Sequence, residues 1–145
     1  MTESEATVSE HQNWNQKIID EFRANLGKVG GQFEGAPVLL LTTTGAKSGK
    51  RHTTPMMYLA GDGVLYVFAS KAGAPTNPDW YHNLAANPKV TVEVGADKFD
   101  ATAVALEGDQ RDEIFARQAA LYPGFAEYQQ QTTRVIPVVQ LTRAS

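Results

Sequence analysis

The residues best suited to binding chemistry lie in the stretch VLLLTTTGAKSGKRHTTP, from Val38 to Pro55, which places cations beside glycines after an apolar run. Read from Gly45, a Walker phosphate loop would need glycine at position 50 and lysine at position 51, where this chain has Lys50 and Arg51. The Thr-Thr-Pro of residues 53–55 then favours a strand instead of the helix that follows a Walker loop. The stretch is therefore predicted to be an anion-binding loop between two strands, the alternative being an ordinary solvated turn.

Two further groups of side chains suit a ligand site. Ser70 and Lys71 stand at the end of a predicted strand, where the lysine either reaches a ligand or only protects a sheet edge. Tyr122, Phe125 and Tyr128 recur at three-residue spacing, which predicts that they share one side of a helix. Such a stripe either belongs to the core or forms the wall of a pocket for a flat, aromatic substrate.

Other catalytic sites find little support. The histidines His11, His52 and His82 do not stand at metal-ligand spacing with one another or with a carboxylate, so no bound metal is expected. The serine-hydrolase motif G-x-S-x-G is absent from the sequence, and the nearness of Ser70, Asp79 and His82 along the chain does not indicate a triad. The chain has no cysteine, which excludes disulfides and a cysteine nucleophile.

An N-terminal helix is predicted from apolar residues at four-residue spacing, and it should end near Gly27. The stripe consists of Trp14, Ile18, Phe22 and Leu26. Packing on a sheet is favoured over lying on a membrane, because acidic residues offset the cations of this helix. Residues 1–9 are polar and acidic, and they are predicted to be a disordered tail before a single domain of residues 10–145.

The remaining elements are mainly strands joined by hairpins. A buried strand at Val38–Thr44 precedes the basic loop, and two β-rich runs flank the turn signal Gly61-Asp62-Gly63. Asn77 is predicted to cap a short helix that Pro78 begins, and a later helix should break at Pro123. Further strands are predicted at residues 90–94, at residues up to 106 and at residues 134–142, the last being an edge or bulged strand because it contains Pro137. The predicted fold class is mainly β (α+β), an antiparallel barrel of about six strands with peripheral helices.

Composition limits the alternatives. The chain has 145 residues, of which 42% are hydrophobic and 20% are charged, as expected for one globular domain. A net charge of −3 disfavours a general nucleic-acid binder, although a local basic loop remains compatible with it. The N-terminus lacks the features of a signal peptide and no apolar run is long enough for a membrane span, so a cytoplasmic location is predicted.

Three blocks of sequence together resemble the deazaflavin-dependent nitroreductase family. They are LLLTTTGAKSGKRHTTPMMYL, ASKAGAPTNPDWYHNLAANPKV and LYPGFAEYQQQTTRVIPVV. The resemblance implies a split β-barrel that binds reduced coenzyme F420, an 8-hydroxy-5-deazaflavin, and passes hydride to a quinone, a nitroaromatic compound or an activated alkene. Because that coenzyme carries a phosphodiester and an acidic glutamate tail, the resemblance assigns the basic loop to the tail.

The resemblance also implies roles for individual residues. The implied coenzyme-binding positions are Ala46, Lys47, Ser48, Arg51, His52, Thr53, Thr54, Pro55, Met56, Met57, Phe68, Ala69, Ser70, Lys71, Asp79, Trp80, Tyr81, His82 and Asn83. The implied acceptor-side positions are Met57, Tyr122, Phe125 and Tyr128. Ser70 or Lys71 is expected to stabilise negative charge that develops on the acceptor, and Tyr122, Tyr128 or water is expected to supply the proton.

The chain departs from the family pattern at several of these positions. Ala46 and His52 stand where many relatives have arginine, so Lys47, Lys50 and Arg51 are expected to carry the phosphate contacts. Two alternatives share the expected fold, namely a non-catalytic binder of a deazaflavin or fatty acid and an FMN-dependent oxidoreductase. The acceptor is expected to be a small molecule, the chain a monomer or homodimer, and peripheral contact with a membrane is compatible with a quinone acceptor.

Overall fold

The computed structural model describes residues 16–28, 37–61, 63–70 and 76–144, which form four helices and seven strands. In chain order, α1 covers residues 16–24 and precedes the strands β1 (Val38–Thr44), β2 (Arg51–Met57), β3 (Leu59–Ala60) and β4 (Val64–Phe68). The other elements are α2 (Asp79–Ala86), β5 (Lys89–Val94), β6 (Asp97–Ala105), α3 (Gly108–Leu121), α4 (Gly124–Gln131) and β7 (Val138–Arg143). The predicted disordered tail, Trp14, His11 and Lys71 lie outside the described residues.

The strands form one sheet in the order β2-β1-β5-β6-β7-β4-β3, and the neighbouring strands are antiparallel. Only Tyr58 separates β2 from β3 along the chain, although these two strands are the opposite edges of the sheet. The sheet must therefore curl until its edges meet, which produces a barrel. The predicted antiparallel barrel class is confirmed, but the sequence predicted one strand where the structure has the separate strands β2 and β3.

Strand β1 is buried on both of its faces. Leu39 and Leu41 face the barrel interior with Val67 and Val92, whereas Leu40 faces the other side. We call these the inner and outer faces of the sheet. Burial on both sides explains why the sequence of β1 begins as an unbroken apolar run without alternation.

Helix α1 covers part of the outer face, which confirms the prediction that it packs on the sheet. Its residues Ile19 and Phe22 are buried against Val38 and Leu40 of β1. The predicted stripe fails at Leu26, which is 68% exposed and has a φ of 54°, because the helix has already ended. Within the described residues, no helix is long and apolar enough to cross a membrane.

Helices α3 and α4 are held to the chain that leads into β7 by one buried arginine. The Arg111 guanidinium donates to the Ile136 carbonyl at 3.0 and 2.9 Å and to Gln129 Oε1 at 2.7 Å. Gln129 Oε1 also accepts from the Ile136 amide at 3.0 Å. The break at Pro123 is confirmed, and Pro137 precedes β7, so the prediction that it marks an edge or bulge is wrong: β7 lies between β6 and β4.

Gln118 of α3 is fully buried, and within the described residues neither its Nε2 nor its Oε1 has a hydrogen-bond partner. An unpaired amide in the interior destabilises the fold, so Gln118→Met should raise the free energy of unfolding by about 1 kcal/mol. Urea denaturation measures this change, with Gln130→Met, at an exposed position of α4, as the control that should change little. A loss of stability of more than about 1 kcal/mol in Gln118→Met would contradict the expectation.

Candidate functional site

The predicted basic loop joins β1 to β2 and is closed by its own backbone. The Gly45 amide donates to the Lys50 carbonyl at 2.7 Å, and the Gly49 amide donates to the Gly45 carbonyl at 3.0 Å. Ser48 Oγ accepts from the Lys50 amide at 3.2 Å. Gly49 has a φ of 71°, a backbone conformation that glycine adopts readily. The prediction of a loop between two strands, and not a P-loop, is therefore confirmed.

The middle of this loop, at Lys47 and Ser48, presents free hydrogen-bond donors to solvent. Among the described residues, the backbone amides of Lys47 and Ser48 have no hydrogen-bond partner, and both residues are exposed. The ammonium groups of Lys47 and Lys50 likewise form no ion pair within the described residues. Adjacent free amides beside unpaired lysines are the features that bind a phosphate or a carboxylate.

Asn83 of α2 fixes the position of the loop. Its Oδ1 accepts from the Ala46 amide at 3.0 Å, and its Nδ2 donates to Thr43 Oγ1 at 3.3 Å. Helix α2 itself is anchored because Leu84 is buried in the barrel core and Trp80 and Tyr81 pack against that core. The other two predicted ligands on this helix, Asp79 and His82, are exposed.

Asn83→Ala should therefore loosen the loop without unfolding the barrel. We expect the dissociation constant of an anionic ligand of the loop to rise about fivefold, which corresponds to one lost hydrogen bond of about 1 kcal/mol. Calorimetric titration with coenzyme F420 measures it, and Asn87→Ala, which removes a 3.4 Å bond to the Thr44 carbonyl, serves as a control at the C-cap of the same helix. An unchanged dissociation constant in Asn83→Ala would show that the bond to Ala46 has no role in binding.

Strand β2 divides the predicted ligands between the two faces of the sheet, because successive side chains of a strand point to opposite sides. Met56 packs against the core on the inner face. Met57 packs on the outer face against the cluster of Ile19, Phe22, Val38 and Leu40, which we call the α1 cluster. By the same alternation His52 and Thr54 lie on the inner face, and Arg51, Thr53 and Pro55 lie on the outer face. The structure therefore does not gather the whole predicted segment around one ligand.

The segment after β4 approaches the helices. Phe68 is packed edge-to-face against Phe115 and Phe125, at ring-centroid distances of 6.2 and 5.6 Å. Ala69 is fully buried, and Ser70 is half-buried. Within the described residues the Ser70 hydroxyl has no hydrogen-bond partner, so it is free to donate to a ligand.

Arg134 binds Ala69 and Ser70, the two residues after β4 that we call the Ser70 segment, and it also binds Asn77 before α2. Its guanidinium donates to the carbonyls of Ala69 at 3.1 Å and Ser70 at 2.9 Å, and to Asn77 Oδ1 at 2.7 Å. Burial lowers the pKa of Arg134 from its usual value, but an arginine remains charged throughout the neutral range. The prediction that Asn77 caps α2 is wrong, because Pro78 occupies the N-cap position and the Asn77 side chain binds Arg134.

The three predicted acceptor-side aromatic residues do not lie on one helix. Phe125 and Tyr128 share α4, with ring centroids 5.6 Å apart, but Tyr122 is the C-cap residue of α3. The reason is local: proline at position 123 disfavours the helical conformation at the residue before it, and Tyr122 has φ −134° and ψ 88°. Met57, the fourth predicted acceptor-side residue, belongs to the α1 cluster and not to the Phe68 cluster that contains Phe125 and Tyr128.

Three residues that connect these parts were not identified from the sequence. Gln129 Nε2 donates to the Arg134 carbonyl at 2.7 Å, so Arg111, Gln129 and Arg134 link the aromatic helix α4 to the Ser70 segment. One signal was present for Arg111, because it shares the buried side of α3 with Ile114, Phe115 and Gln118. Arg134 had no comparable signal, since it lies in an irregular segment.

Comparison with known proteins gives a consistent result. The model of the F420H(2)-dependent quinone reductase family matches residues 14–143 of this chain. An F420H(2)-dependent quinone reductase of Mycobacterium tuberculosis is 43% identical in an alignment of 129 residues that covers 84% of this chain and 85% of that protein. A solved structure described as an F420-H2 dependent reductase (FDR-A) is 44% identical, with a TM-score of 0.67 over 72% of this chain and 93% of that chain.

A second solved structure, described as a domain-swapped dimer, is 37% identical with a TM-score of 0.70, over 90% of this chain and 98% of that chain. The fold also resembles that of a haem storage protein from Vibrio cholerae, which is only 17% identical and has a TM-score of 0.58. The likeness to the reductase structure confirms the predicted split β-barrel fold.

Proposed function

The chain belongs to the family of F420H(2)-dependent quinone reductases, and from this premise we propose that it reduces a quinone at a site formed by the basic loop, the Ser70 segment and α4. The chain is an oxidoreductase, and its cofactor is reduced coenzyme F420. This assignment favours catalysis by a deazaflavin over the two alternatives of a non-catalytic binder and an FMN enzyme. The main support for placing the coenzyme site at the basic loop is that the backbone amides of Lys47 and Ser48 are free.

The residues of this loop fit the acidic part of the coenzyme. Two free amides and two unpaired lysines suit a phosphodiester, and the His52 side chain lies close to Gly45 at the start of the same loop. A Cβ added at Gly45 would lie 3.3 Å from His52 Nε2 and 2.5 Å from Ser48 Oγ, so the Ser48 side chain would have to move from its present position in the loop. We infer that Lys47, Ser48 and His52 hold the phosphate, with Lys50 nearer the glutamate tail.

The ring of the coenzyme is assigned to the Ser70 segment and to α2. When bound, the reduced coenzyme supplies a hydride, and the task of the protein is orientation and exclusion of water. Arg134 fixes the carbonyls of Ala69 and Ser70, which leaves the Ser70 hydroxyl free to donate toward the ligand. We propose that Ser70, together with Lys71, stabilises negative charge on the acceptor oxygen.

We propose that the acceptor binds at the aromatic residues of α4 and at Tyr122. Phe125 and Tyr128 of α4 offer flat apolar surfaces to a quinone ring, and Tyr122 adds a half-buried phenol. Reduction to the quinol also requires a proton, and the hydroxyls of Tyr122 and Tyr128 have no partner within the described residues. We propose one of them as the donor, with water as the alternative.

Nitroaromatic compounds and activated alkenes are the other proposed acceptors. Met57 lies in the α1 cluster and Phe125 has no hydroxyl, so the proposed acceptor site offers few donors to a nitro group. We therefore expect a quinone to be the better substrate. A homodimer, a cytoplasmic location and peripheral contact with a membrane stay predictions.

An acceptor panel tests the proposal. The full chain is mixed with reduced coenzyme F420 and, in separate reactions, with menadione, a nitroimidazole and an activated enone, and oxidation of the coenzyme is followed by absorbance. We expect the highest kcat/KM for menadione. Turnover of the nitroimidazole or enone at a higher kcat/KM than menadione would overturn the preference for quinones.

A further inference from the structure

A polar pocket of about 380 Å³ lies on the outer face of the sheet. Its lining includes Arg23 of α1, Arg51 and Thr53 of β2, Thr91 of β5, and Lys98 and Asp100 of β6. We call it the outer pocket. It is separate from the candidate coenzyme site, since Arg51 and Thr53 point away from the inner-face residues His52 and Thr54.

The cations of the outer pocket differ in what they bind. The Arg23 guanidinium is engaged by Glu93, with bonds of 3.1 and 3.0 Å, and this hydrogen-bonded carboxylate raises the pKa of Arg23. In contrast, no carboxylate of the described residues lies within ion-pair distance of Arg51 or Lys98. These two side chains are the ones with charge available for a ligand.

Neighbouring hydroxyls orient the Arg51 guanidinium. It donates to Thr91 Oγ1 at 2.6 Å and to Thr44 Oγ1 at 3.2 Å, and the Thr91 hydroxyl in turn donates to Asp100 Oδ1 at 3.1 Å. The Asp100 carboxylate accepts this bond from Thr91 and forms no ion pair with Arg51. An arginine held by neutral groups keeps most of its attraction for an anion.

The floor of the pocket supplies a further donor. The hydroxyls of Thr42 and Thr53 lie 2.8 Å apart, and one hydrogen is enough for the bond between them. The hydrogen of the accepting hydroxyl is therefore free to bind another group. Lys98 of β6, Arg51 of β2 and the Thr42–Thr53 pair of β1 and β2 all line this one pocket.

We propose that the outer pocket binds a small oxyanion, a phosphate or a carboxylate, through Arg51, Lys98 and the free hydroxyl of the Thr42–Thr53 pair. The anion has two possible sources. One is a free small anion. The other, which rests on the proposed function, is the acidic tail of coenzyme F420, because Lys50 of the basic loop adjoins Arg51 at the edge strand β2.

The first arm of the test uses the full chain without coenzyme. Inorganic phosphate is titrated at low ionic strength, and the amide resonances of Thr53, Thr91 and Asp100 are followed by NMR. We expect saturable shifts, with the dissociation constant raised about tenfold by Lys98→Gln and by Arg51→Gln. Lys89→Gln, an exposed lysine outside the pocket, is the matched control and should not change it.

The second arm identifies the source. Calorimetry compares coenzyme F420 with the deazaflavin precursor that lacks the phosphate and the glutamates. If the tail is the anion, Lys98→Gln weakens binding of the tailed form only; if a free anion is the ligand, Lys98→Gln affects phosphate and leaves coenzyme binding unchanged.

The proposal is overturned if phosphate gives no saturable shifts and neither variant alters the affinity for the tailed coenzyme. Since the phosphate arm needs no coenzyme, failure of the proposed function and failure of the outer pocket give different results. Lys98→Gln also keeps the test interpretable if Arg51→Gln disturbs folding, because Lys98 forms no hydrogen bond within the described residues and is exposed.

Discussion

Arg134→Ala should lower kcat/KM for quinone reduction by about 100-fold, because it releases the segment that carries Ser70. The wild-type guanidinium binds the carbonyls of Ala69 and Ser70 and the Asn77 side chain, and so fixes the segment before and after residues 71–75. A displacement of about 1 Å of a catalytic group is enough for a loss of this size. Steady-state kinetics with reduced F420 and menadione measure the effect, most of which should appear in kcat.

Two variants separate positioning from general stability. Arg134→Lys keeps the charge but cannot bridge two carbonyls and an amide oxygen in the same way, so we expect it to recover only part of the activity. Arg117→Ala removes an exposed ion pair with Glu113 and should leave kcat and KM unchanged. The assignment of Arg134 fails if Arg134→Ala keeps wild-type kcat, or if its loss of activity matches the fraction of unfolded protein.

Lys47→Ala should raise the dissociation constant of coenzyme F420 about tenfold while kcat at saturating coenzyme changes little. The side chain lies beside the free amides of the loop and meets no carboxylate within the described residues, so its charge is available to the phosphate. Because the site is exposed, the effect should shrink as the salt concentration rises. Calorimetry at two ionic strengths, together with steady-state kinetics, gives both quantities.

The matched control is Lys89→Ala, an exposed lysine at the start of β5 that is not in the loop. It should leave both the dissociation constant and kcat unchanged. If Lys47→Ala lowers kcat but leaves coenzyme affinity intact, the loop does not hold the acidic part of the coenzyme and the site must be reassigned.

Features set by neighbouring residues could be predicted from the sequence. The loop between β1 and β2 followed from the lysine and glycine spacing and from the Thr-Thr-Pro of residues 53–55, all of which act locally, whereas anion binding by this loop stays a prediction. The hairpin at Gly61 and the helix break at Pro123 were also identified correctly. In each case the signal is the backbone preference of a few adjacent residues.

Features that depend on distant pairing could not be predicted. Nothing in the run from Arg51 to Ala60 indicates that Tyr58 separates two strands at opposite edges of the sheet, since that depends on how the barrel closes. The contact of Arg134 with Ser70 spans 64 residues of sequence and involves a backbone carbonyl, which leaves no residue-type signal.

The division of the β2 side chains between two faces is a local feature that the resemblance did not include. The resemblance assigned Arg51, His52, Thr53 and Thr54 to one ligand, whereas the two-residue period of a strand places Arg51 and Thr53 on the other face. That period follows directly from the prediction that the Thr-Thr-Pro of residues 53–55 belongs to a strand. Side-chain alternation along the strand is therefore enough to separate the two sets of residues on the basis of sequence.

A single-turnover reaction tests the central claim most directly. Protein loaded with one equivalent of reduced coenzyme F420 is mixed anaerobically with menadione, and the return of the oxidised coenzyme is followed by stopped-flow absorbance. We predict full reoxidation, much faster than without protein, and slowed severalfold when the transferred hydrogen of the coenzyme is deuterium. Reoxidation at the protein-free rate would contradict the conclusion that this barrel is a hydride-transferring quinone reductase.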